Sequence, residues 1–194
     1  MTDLRDAQTD VTRRRIARAV VEVIAADGAA MLSFPAVAER SGVSLRTVYR
    51  HFPNKEALLA AAVDAGSESA ITRFPYGERT IARLEEFVPA LWADLARNRD
   101  LVGVQHTTPG GIALRAGRIR NRKAEALADV RRVLPELDDT SADELASLIT
   151  VLMGSPMFVD LVDHFGHDVD RAAHLAVFAI RAVIDAARTE GRIP

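Results

Sequence analysis

The fold of this protein is decided by residues 37–59, which read VAERSGVSLRTVYRHFPNKEALL. The three residues 41–43 contain a glycine and suit a tight turn, and Ser44 directly after them is a typical N-cap for a new helix. Pro53 ends that helix, and Asn54 is suited to cap the next one. Two helices joined by a short glycine-containing turn predict a helix-turn-helix.

The second helix of this motif has an inner and an outer face. Three valines point into the helix junction, and Ala38 is small enough for the two helices to cross closely; the valines are Val37, Val43 and Val48. Arginine pairs with guanine edges or phosphates, threonine can touch a thymine methyl, and tyrosine and histidine can donate to phosphates. The outer face carries these residue types, namely Arg46, Thr47, Tyr49, Arg50 and His51. The pattern is typical of a helix that reads a DNA groove.

The same run resembles the signature of the tetracycline-repressor (TetR) family. In that signature a small-Gly-Val-Ser turn precedes a Thr-aliphatic-Tyr-x-His-Phe helix and a Lys-Glu-x-Leu helix start. The resemblance implies that residues 44–51 enter the major groove, that Tyr49 and Lys55 bind backbone phosphates, and that the later helices hold an effector pocket and dimerise. A cation at a helix start also suits a phosphate without reference to the family. The predicted DNA-binding residues are Ser44, Arg46, Thr47, Tyr49, Arg50, His51 and Lys55.

Outside this run, apolar residues recur at helical spacing, and the alternation typical of strands never extends beyond a few residues. We therefore predict an all-α protein. Its first helix has the apolar stripe Ile16, Ala19, Val20, Val23 and Ile24, and four arginines gather near its start, Arg13, Arg14, Arg15 and Arg18. A charge run of this kind is usually a solvated surface, and phosphate contact is the alternative.

The chain is predicted to have two parts. Residues 1–56 form a three-helix DNA-binding head, and residues 57–194 form a larger helical body for ligand binding and dimerisation. After a polar connection at 66–77, we expect helices at 78–98, 111–134, 141–165 and 169–190. Ser141 with Glu144 predicts a capping box, Pro156 predicts a kink, and residues 109–111, Pro-Gly-Gly, predict a plain loop.

Charge and composition limit the class of protein. The net charge is -2, but residues 1–63 hold nine basic against seven acidic side chains, whereas the rest holds sixteen against twenty. This small asymmetry has the sign expected for a DNA-binding head on an acidic body.

Cysteine is absent, which excludes a disulfide framework and a thiolate metal site. The N-terminus lacks an apolar signal core and charges interrupt the apolar segments, so we expect a cytoplasmic protein without a membrane partner.

The last two predicted helices are apolar on more than one stripe, which predicts that a second copy covers one side; the alternative is a purely intramolecular core. The expected homodimer interface consists of Leu145, Leu148, Ile149, Leu152, Leu175, Phe178, Ala179 and Val183.

An effector pocket would need an adaptable apolar lining with a titratable partner. The candidates are Phe87, Leu91, Trp92, His106, Met153, Met157 and Phe158, and the small-molecule effector itself is unknown.

A metal site and an enzyme active site have weaker support in the sequence. His164, His167 and His174 lie among acidic residues, but Gly166 breaks the helix between the first two, so we expect a polar loop and no metal or cofactor. An enzyme would have to use a pair such as Glu85 or Glu86 with His106, which no known motif supports.

The sequence therefore predicts a TetR-type regulator and not an enzyme. Its simplest form is a repressor that a small-molecule effector releases from a pseudo-palindromic, double-stranded operator. The alternative function is an all-α enzyme or an interaction module that uses the C-terminal pocket.

Overall fold

The computed structural model describes residues 2–66, 74–75 and 79–193, and these residues contain helices and no strand. The predicted all-α fold is confirmed. Most of the predicted polar connection at 66–77 lies outside the described residues. The chain divides into two compact units, and neither is continuous in sequence, because residues 98–115 belong with the N-terminal helices.

The first unit is built around the apolar stripe of its first helix. Its elements are α1 (Thr2–Asp27), a short 3-10 helix (Ala29–Met31), α2 (Phe34–Ser41), α3 (Leu45–His51), α4 (Lys55–Gly66), α6 (Arg99–Thr107) and the start of α7 (Pro109–Val133). Helix α1 packs against α2, α4 and α6. The core that results is formed by Ile16, Val20, Val23, Ile24, Val37, Val48, Phe52, Leu58, Leu101 and Val104.

The helix ends around the turn are set by local side-chain caps. The Ser33 hydroxyl accepts from the amide of Ala36 at 3.3 Å, and the Asn54 carboxamide accepts from the amide of Ala57 at 2.8 Å. Gly42 has a φ of 65°, the left-handed conformation that glycine adopts without steric cost. The cap predicted at Asn54 and the predicted turn are confirmed. Capping contacts of this kind span only three residues, so the local sequence is enough to predict them.

The second unit comprises the remaining described residues. A 3-10 helix (Ile81–Arg83) leads into α5 (Leu84–Arg97), and the later part of α7 follows. Next come α8 (Asp139–Leu152), α9 (Ser155–Val159), a π-helical turn (Asp160–His164) and α10 (Val169–Glu190). Helix α10 packs against α5 and α8. At the centre, Trp92 is fully buried, donates from Nε1 to the carbonyl of Met153 at 3.1 Å and meets Phe158 edge to face.

Three expectations about the helices were wrong, and one helix was not predicted. Residues 109–111 are the first turn of α7 and not a loop, with Pro109 at a position where a helix needs no amide donor. Asp138, not Ser141, caps α8 by accepting from the amide of Ser141 at 2.7 Å. The sequence pattern also gave no indication of α6. The single helix predicted at 141–165, with a kink at Pro156, is instead interrupted, because α8 ends at Leu152 and α9 begins at Ser155.

The predicted boundary between residues 56 and 57 falls inside α4. That helix packs as a whole in the first unit, against α1 and α6. The division into a DNA-binding part and a ligand-binding part is a statement about function and stays a prediction.

One segment is apolar enough to be compared with a membrane span. Within Asp139–His164, an 18-residue window has a mean hydropathy of 1.8, and core helices of globular proteins pass the same test. Here Met153 and Gly154 interrupt the segment, and Leu145 and Phe158 are fully buried within the second unit. We attribute the apolar character of this segment to the core that it forms.

Candidate nucleic-acid interface

The outer face of α3 combines two cations with two large side chains. Arg46 and Arg50 are exposed and lie four residues apart, so they share one face of the helix. Tyr49 is 51% exposed and Leu45 is 41% exposed. The inner face holds the buried Val48. Leu45 was not among the predicted site residues, although its apolar side chain at an exposed position suits contact with a thymine methyl.

Tyr49 is fixed by a stacked partner. Its ring lies 4.1 Å from the ring of Phe34, centroid to centroid, and the two planes differ by only 6°. Phe34 is the first residue of α2, so this contact joins the two helices of the motif. Because the stacking restricts the tyrosine rotamers, the phenol hydroxyl is held in one direction before any ligand arrives.

Ser44 and Thr47 have a structural role at the start of α3. The Ser44 hydroxyl accepts from the amide of Thr47 at 3.1 Å, and the two hydroxyl oxygens lie 2.8 Å apart. Thr47 is also half-buried. These two side chains therefore stabilise the helix end, and their predicted contact with DNA stays a prediction.

His51 lies differently from the expected phosphate donor. Its Nε2 is shielded from solvent and has no hydrogen-bond partner among the described residues. Burial, together with the nearby charges of Arg50 and Arg13, lowers the pKa of His51 below its ordinary value of 6.5. A neutral, half-buried imidazole is a poor phosphate ligand, so this geometry argues against the predicted role of His51.

The lowered pKa of His51 predicts a pH dependence of stability. Burial, and the charge of Arg115, also lower the pKa of His106 in the same unit. The unfolded state then binds more protons than the folded state below pH 6.5, so the free energy of unfolding should fall as the pH decreases from 7.5 to 5.5. We expect the double variant His51→Gln, His106→Gln to show a smaller fall in urea titrations. Equal slopes for the variant and the wild type would contradict this assignment.

Two further cations border α3. Arg13 donates from Nη1 to the carbonyl oxygen of His51 at 3.2 Å, and its guanidinium lies 4.6 Å from the ring centroid of Phe52. It therefore holds the C-terminal end of α3 to α1, a role that the sequence pattern did not indicate. Lys55 is exposed at the first position of α4. The structure thus leaves Arg46, Tyr49, Arg50 and Lys55 exposed within one compact unit.

Comparison with known proteins identifies this part of the chain. Residues 14–62 match the model of the bacterial regulatory proteins of the tetR family. This match covers about a quarter of the chain and marks residues 14–62 as a tetR-type domain. The matched region contains α2, α3, the turn between them and their packing partner in α1, so the resemblance predicted from the sequence is confirmed.

Sequence relatives of the tetR-type domain are regulators. A segment of 74 residues is 34% identical to the HTH-type transcriptional regulator UidR of Escherichia coli (strain K12), and the same holds for UidR of Shigella flexneri. This similarity spans 38% of this chain and only 38% of the length of those relatives.

Solved structures extend the likeness in fold beyond the tetR-type domain. A transcriptional regulator from Rhodococcus sp. Rha1 superposes with a TM-score of 0.63 at 20% identity, over 94% of this chain and 99% of the other. The multidrug binding protein EbrR, complexed with imidazole, gives 0.55 at 20% identity, over 87% and 94%. At this identity the likeness concerns the fold.

The predicted pocket residues do not all surround one space. Phe87 and Met153 line a small cavity in the second unit, whereas Leu91, Trp92 and Phe158 are buried in its core. Met157 packs at the edge of that core, and His106 belongs to the first unit.

The predicted acid-base pairs are engaged elsewhere. Glu85 accepts three hydrogen bonds from Arg181, two at 2.7 Å and one at 2.9 Å, and Glu86 pairs with Arg83 at 2.9 Å. Two of the three histidines weighed as metal ligands also have local partners. The Nδ1 atom of His164 lies 3.1 Å from a carboxylate oxygen of Asp160, and the Nδ1 atom of His174 lies 2.7 Å from the carbonyl oxygen of Asp170. Among the described residues no group of three or more metal-ligating side chains comes together.

The predicted dimer residues divide into two sets. Leu145 and Ile149 are buried within the second unit and so cannot contact a second copy, which corrects that part of the prediction. Leu148 and Phe178 are exposed, Phe178 by 72%. The others are half-exposed, Leu152, Leu175, Ala179 and Val183. Val151, which was not predicted, is 63% exposed on the same helix as Leu148.

Proposed function

We propose that this protein is a DNA-binding transcriptional regulator in which α3 reads the major groove of an operator. The observation that carries the proposal is the outer face of α3, where Arg46 and Arg50 are exposed and Tyr49 is held by Phe34. The tetR-type match of residues 14–62 supports the same function.

The contacts can be divided by chemistry. Arg46 and Arg50 are suited to guanine edges, because a guanidinium donates two parallel hydrogen bonds to the O6 and N7 atoms of guanine. Tyr49 and Lys55 are suited to phosphates, because one has a single fixed hydroxyl and the other a compact charge at a helix start. Base preference would therefore come from the arginines, and sequence-independent affinity from the tyrosine and the lysine.

A second copy would complete the binding unit. One seven-residue recognition helix reads only a few base pairs, whereas two heads related by a two-fold axis read two half-sites of a pseudo-palindrome. The exposed apolar side chains of α8 and α10, Leu148, Val151 and Phe178, support an isologous interface at this face. We propose a homodimer joined through these two helices.

The second unit would bind the effector. Its cavity has apolar walls that include Ile81, Leu84, Phe87 and Met153, and charged side chains that include Arg122 and Glu125. Burial raises the pKa of Glu125 above its ordinary value, although Arg79 and Arg122 oppose the shift. The related fold of EbrR was solved with imidazole bound. We propose that a small molecule enlarges this cavity, alters the separation of the two heads and releases the operator.

The test begins with selection of bound sequences from a random DNA pool at near-physiological salt. We expect the wild type to recover a pseudo-palindrome. Arg46→Ala should lose about 1–3 kcal/mol of discrimination at one base pair per half-site, because a bidentate contact disappears. Tyr49→Phe should weaken all sequences alike, by about 0.5–1.5 kcal/mol for one hydrogen bond.

The matched control is Arg188→Ala, which removes an exposed arginine from the last turn of α10. Its base preferences should equal those of the wild type. If folded wild-type protein enriches no sequence, with or without cell extract as a source of effector, the regulator proposal is wrong. If a ligand binds the second unit tightly and operator affinity does not change, the release mechanism is wrong.

A further inference from the structure

The four arginines Arg13, Arg14, Arg15 and Arg18 lie in the middle of α1, which begins at Thr2 and so earlier than the sequence pattern suggested, and they have different surroundings. Arg13 is engaged with the carbonyl of His51 and the ring of Phe52, so it supports α3. Arg14 and Arg15 are exposed, and in the described part of the first unit no carboxylate lies within ion-pair distance of either. All three are exposed, and the difference is that Arg13 has partners at the end of α3 whereas Arg14 and Arg15 have no ion-pair partner there.

Arg15 lies against the turn that leads into α3. Its Nη2 atom is 2.7 Å from the point where a Cβ atom at position 42 would stand. Because Gly42 has no side chain, the guanidinium can approach the backbone of the turn. A cation is therefore placed beside the helix-turn-helix, on an element that the motif itself does not include.

Arg14 and Arg15 are part of a larger basic surface. Together with Arg18 of α1 and Arg40 of α2, they line an open cleft of about 440 Å³ between these two helices. Glu22 is the single acidic residue among the described residues that line it. Arg40 also lies 3.7 Å from Asp27, which neutralises part of its charge. The cleft keeps a clear excess of positive charge.

We propose that this cleft, lined by Arg14, Arg15, Arg18 and Arg40, binds backbone phosphates of DNA outside the base pairs that α3 reads. The proposal rests on the proposed function, because it assumes that α3 binds a duplex. Guanidinium groups bind phosphate oxygens in a bidentate manner, and the cleft belongs to the same unit as α3. Its open form suits a continuous backbone better than a small enclosed anion.

The contact has a measurable signature. Each neutralised phosphate adds about 0.9 to the slope of log affinity against log salt, and it does so for every sequence. Removing the two unpaired arginines should therefore flatten the salt dependence without changing the recovered operator. A residue that reads bases would change the preferred sequence instead.

The experiment measures binding of the selected operator by fluorescence anisotropy between 50 and 300 mM salt. For Arg14→Gln, Arg15→Gln, we expect the slope to become shallower by about 1 to 2, with affinity at low salt reduced about tenfold or more. The matched control is Arg188→Gln, Arg192→Gln, which removes the same charge from exposed positions in the last turn of α10 and just after it, away from Phe178 in the sequence. Circular dichroism checks that both variants are folded.

Three results would overturn the proposal. The first is an unchanged slope in the α1 variant, and the second is an equal change in the α10 control. The third is calorimetric binding of pyrophosphate that the α1 variant loses while its operator slope stays that of the wild type, which would assign the cleft to a small anion. Failure of the proposed function is distinguishable, because the wild type would then select no operator at all.

Discussion

Replacing Gly111 with alanine is expected to lower the free energy of unfolding by about 2–3 kcal/mol, a large effect for one methyl group. A Cβ atom at this position would stand 2.2 Å from the carbonyl oxygen of Val104 and 2.8 Å from the Cα atom of Gln105. These are backbone atoms at the C-terminal end of α6, so no side-chain rotation can relieve the clash. The junction between α6 and α7 would have to open.

Two other glycines serve as controls for this prediction. Gly103, inside α6, has no atom within 4 Å of the point where a Cβ atom would stand, so alanine there should be neutral or stabilise by up to about 1 kcal/mol. At Gly110 the nearest neighbour is the Glu56 side chain, 3.3 Å away, which can move. Urea unfolding followed by circular dichroism gives the stabilities, and hydrogen exchange shows whether the first unit is the part that opens. Equal stability of Gly111→Ala and Gly103→Ala would contradict the predicted clash.

Gly111 also shows a feature that the sequence alone could not predict. Proline followed by two glycines is usually a turn, and the sequence predicted a loop there. In the structure the proline begins α7, and Gly111 is required because two helices approach closely. That requirement depends on residues brought together by folding. The caps at Ser33, Ser44 and Asn54 were predictable, because each forms within three residues of the chain.

Helix α6 was missed for a similar reason. Its N-cap residue Asn98 makes no side-chain capping bond, so no local signal marks its start. Its buried residues Leu101 and Val104 are stabilised by packing with α1 and α4 in the first unit. Such tertiary packing commonly outweighs local propensity in short helices.

In the candidate site, residue type predicted Arg46, Tyr49, Arg50 and Lys55, and the structure leaves these side chains exposed. It could not predict that His51 turns inward or that Phe34 stacks on Tyr49, because both depend on the crossing of α2 and α3. The same limit applies to the apolar stripes of α8. Spacing alone does not tell which stripe packs inside the second unit, and the structure assigns Leu145 inward and Leu148 outward.

The outward stripe leads to the second large effect, which is expected for Phe178→Glu. Phe178 is 72% exposed in the single chain, so the change costs the monomer core little. In the proposed dimer the same change would bury a carboxylate without a partner, which costs several kcal/mol at each of two symmetry-related positions. We expect analytical ultracentrifugation to show dimers for the wild type and monomers for the variant at micromolar concentration.

Loss of the dimer should also weaken DNA binding. Once one head is bound, the second head of a dimer binds at a high effective concentration, which contributes about 100-fold or more in affinity. Phe178→Glu should therefore lose that factor for the full operator and bind an isolated half-site as the wild-type head does. Met31→Glu is the control, because Met31 is also exposed, by 63%, but lies in the first unit. A dimeric Phe178→Glu protein would show that the interface lies elsewhere, and a monomeric wild type that still bound its full operator tightly would refute the two-headed model of recognition.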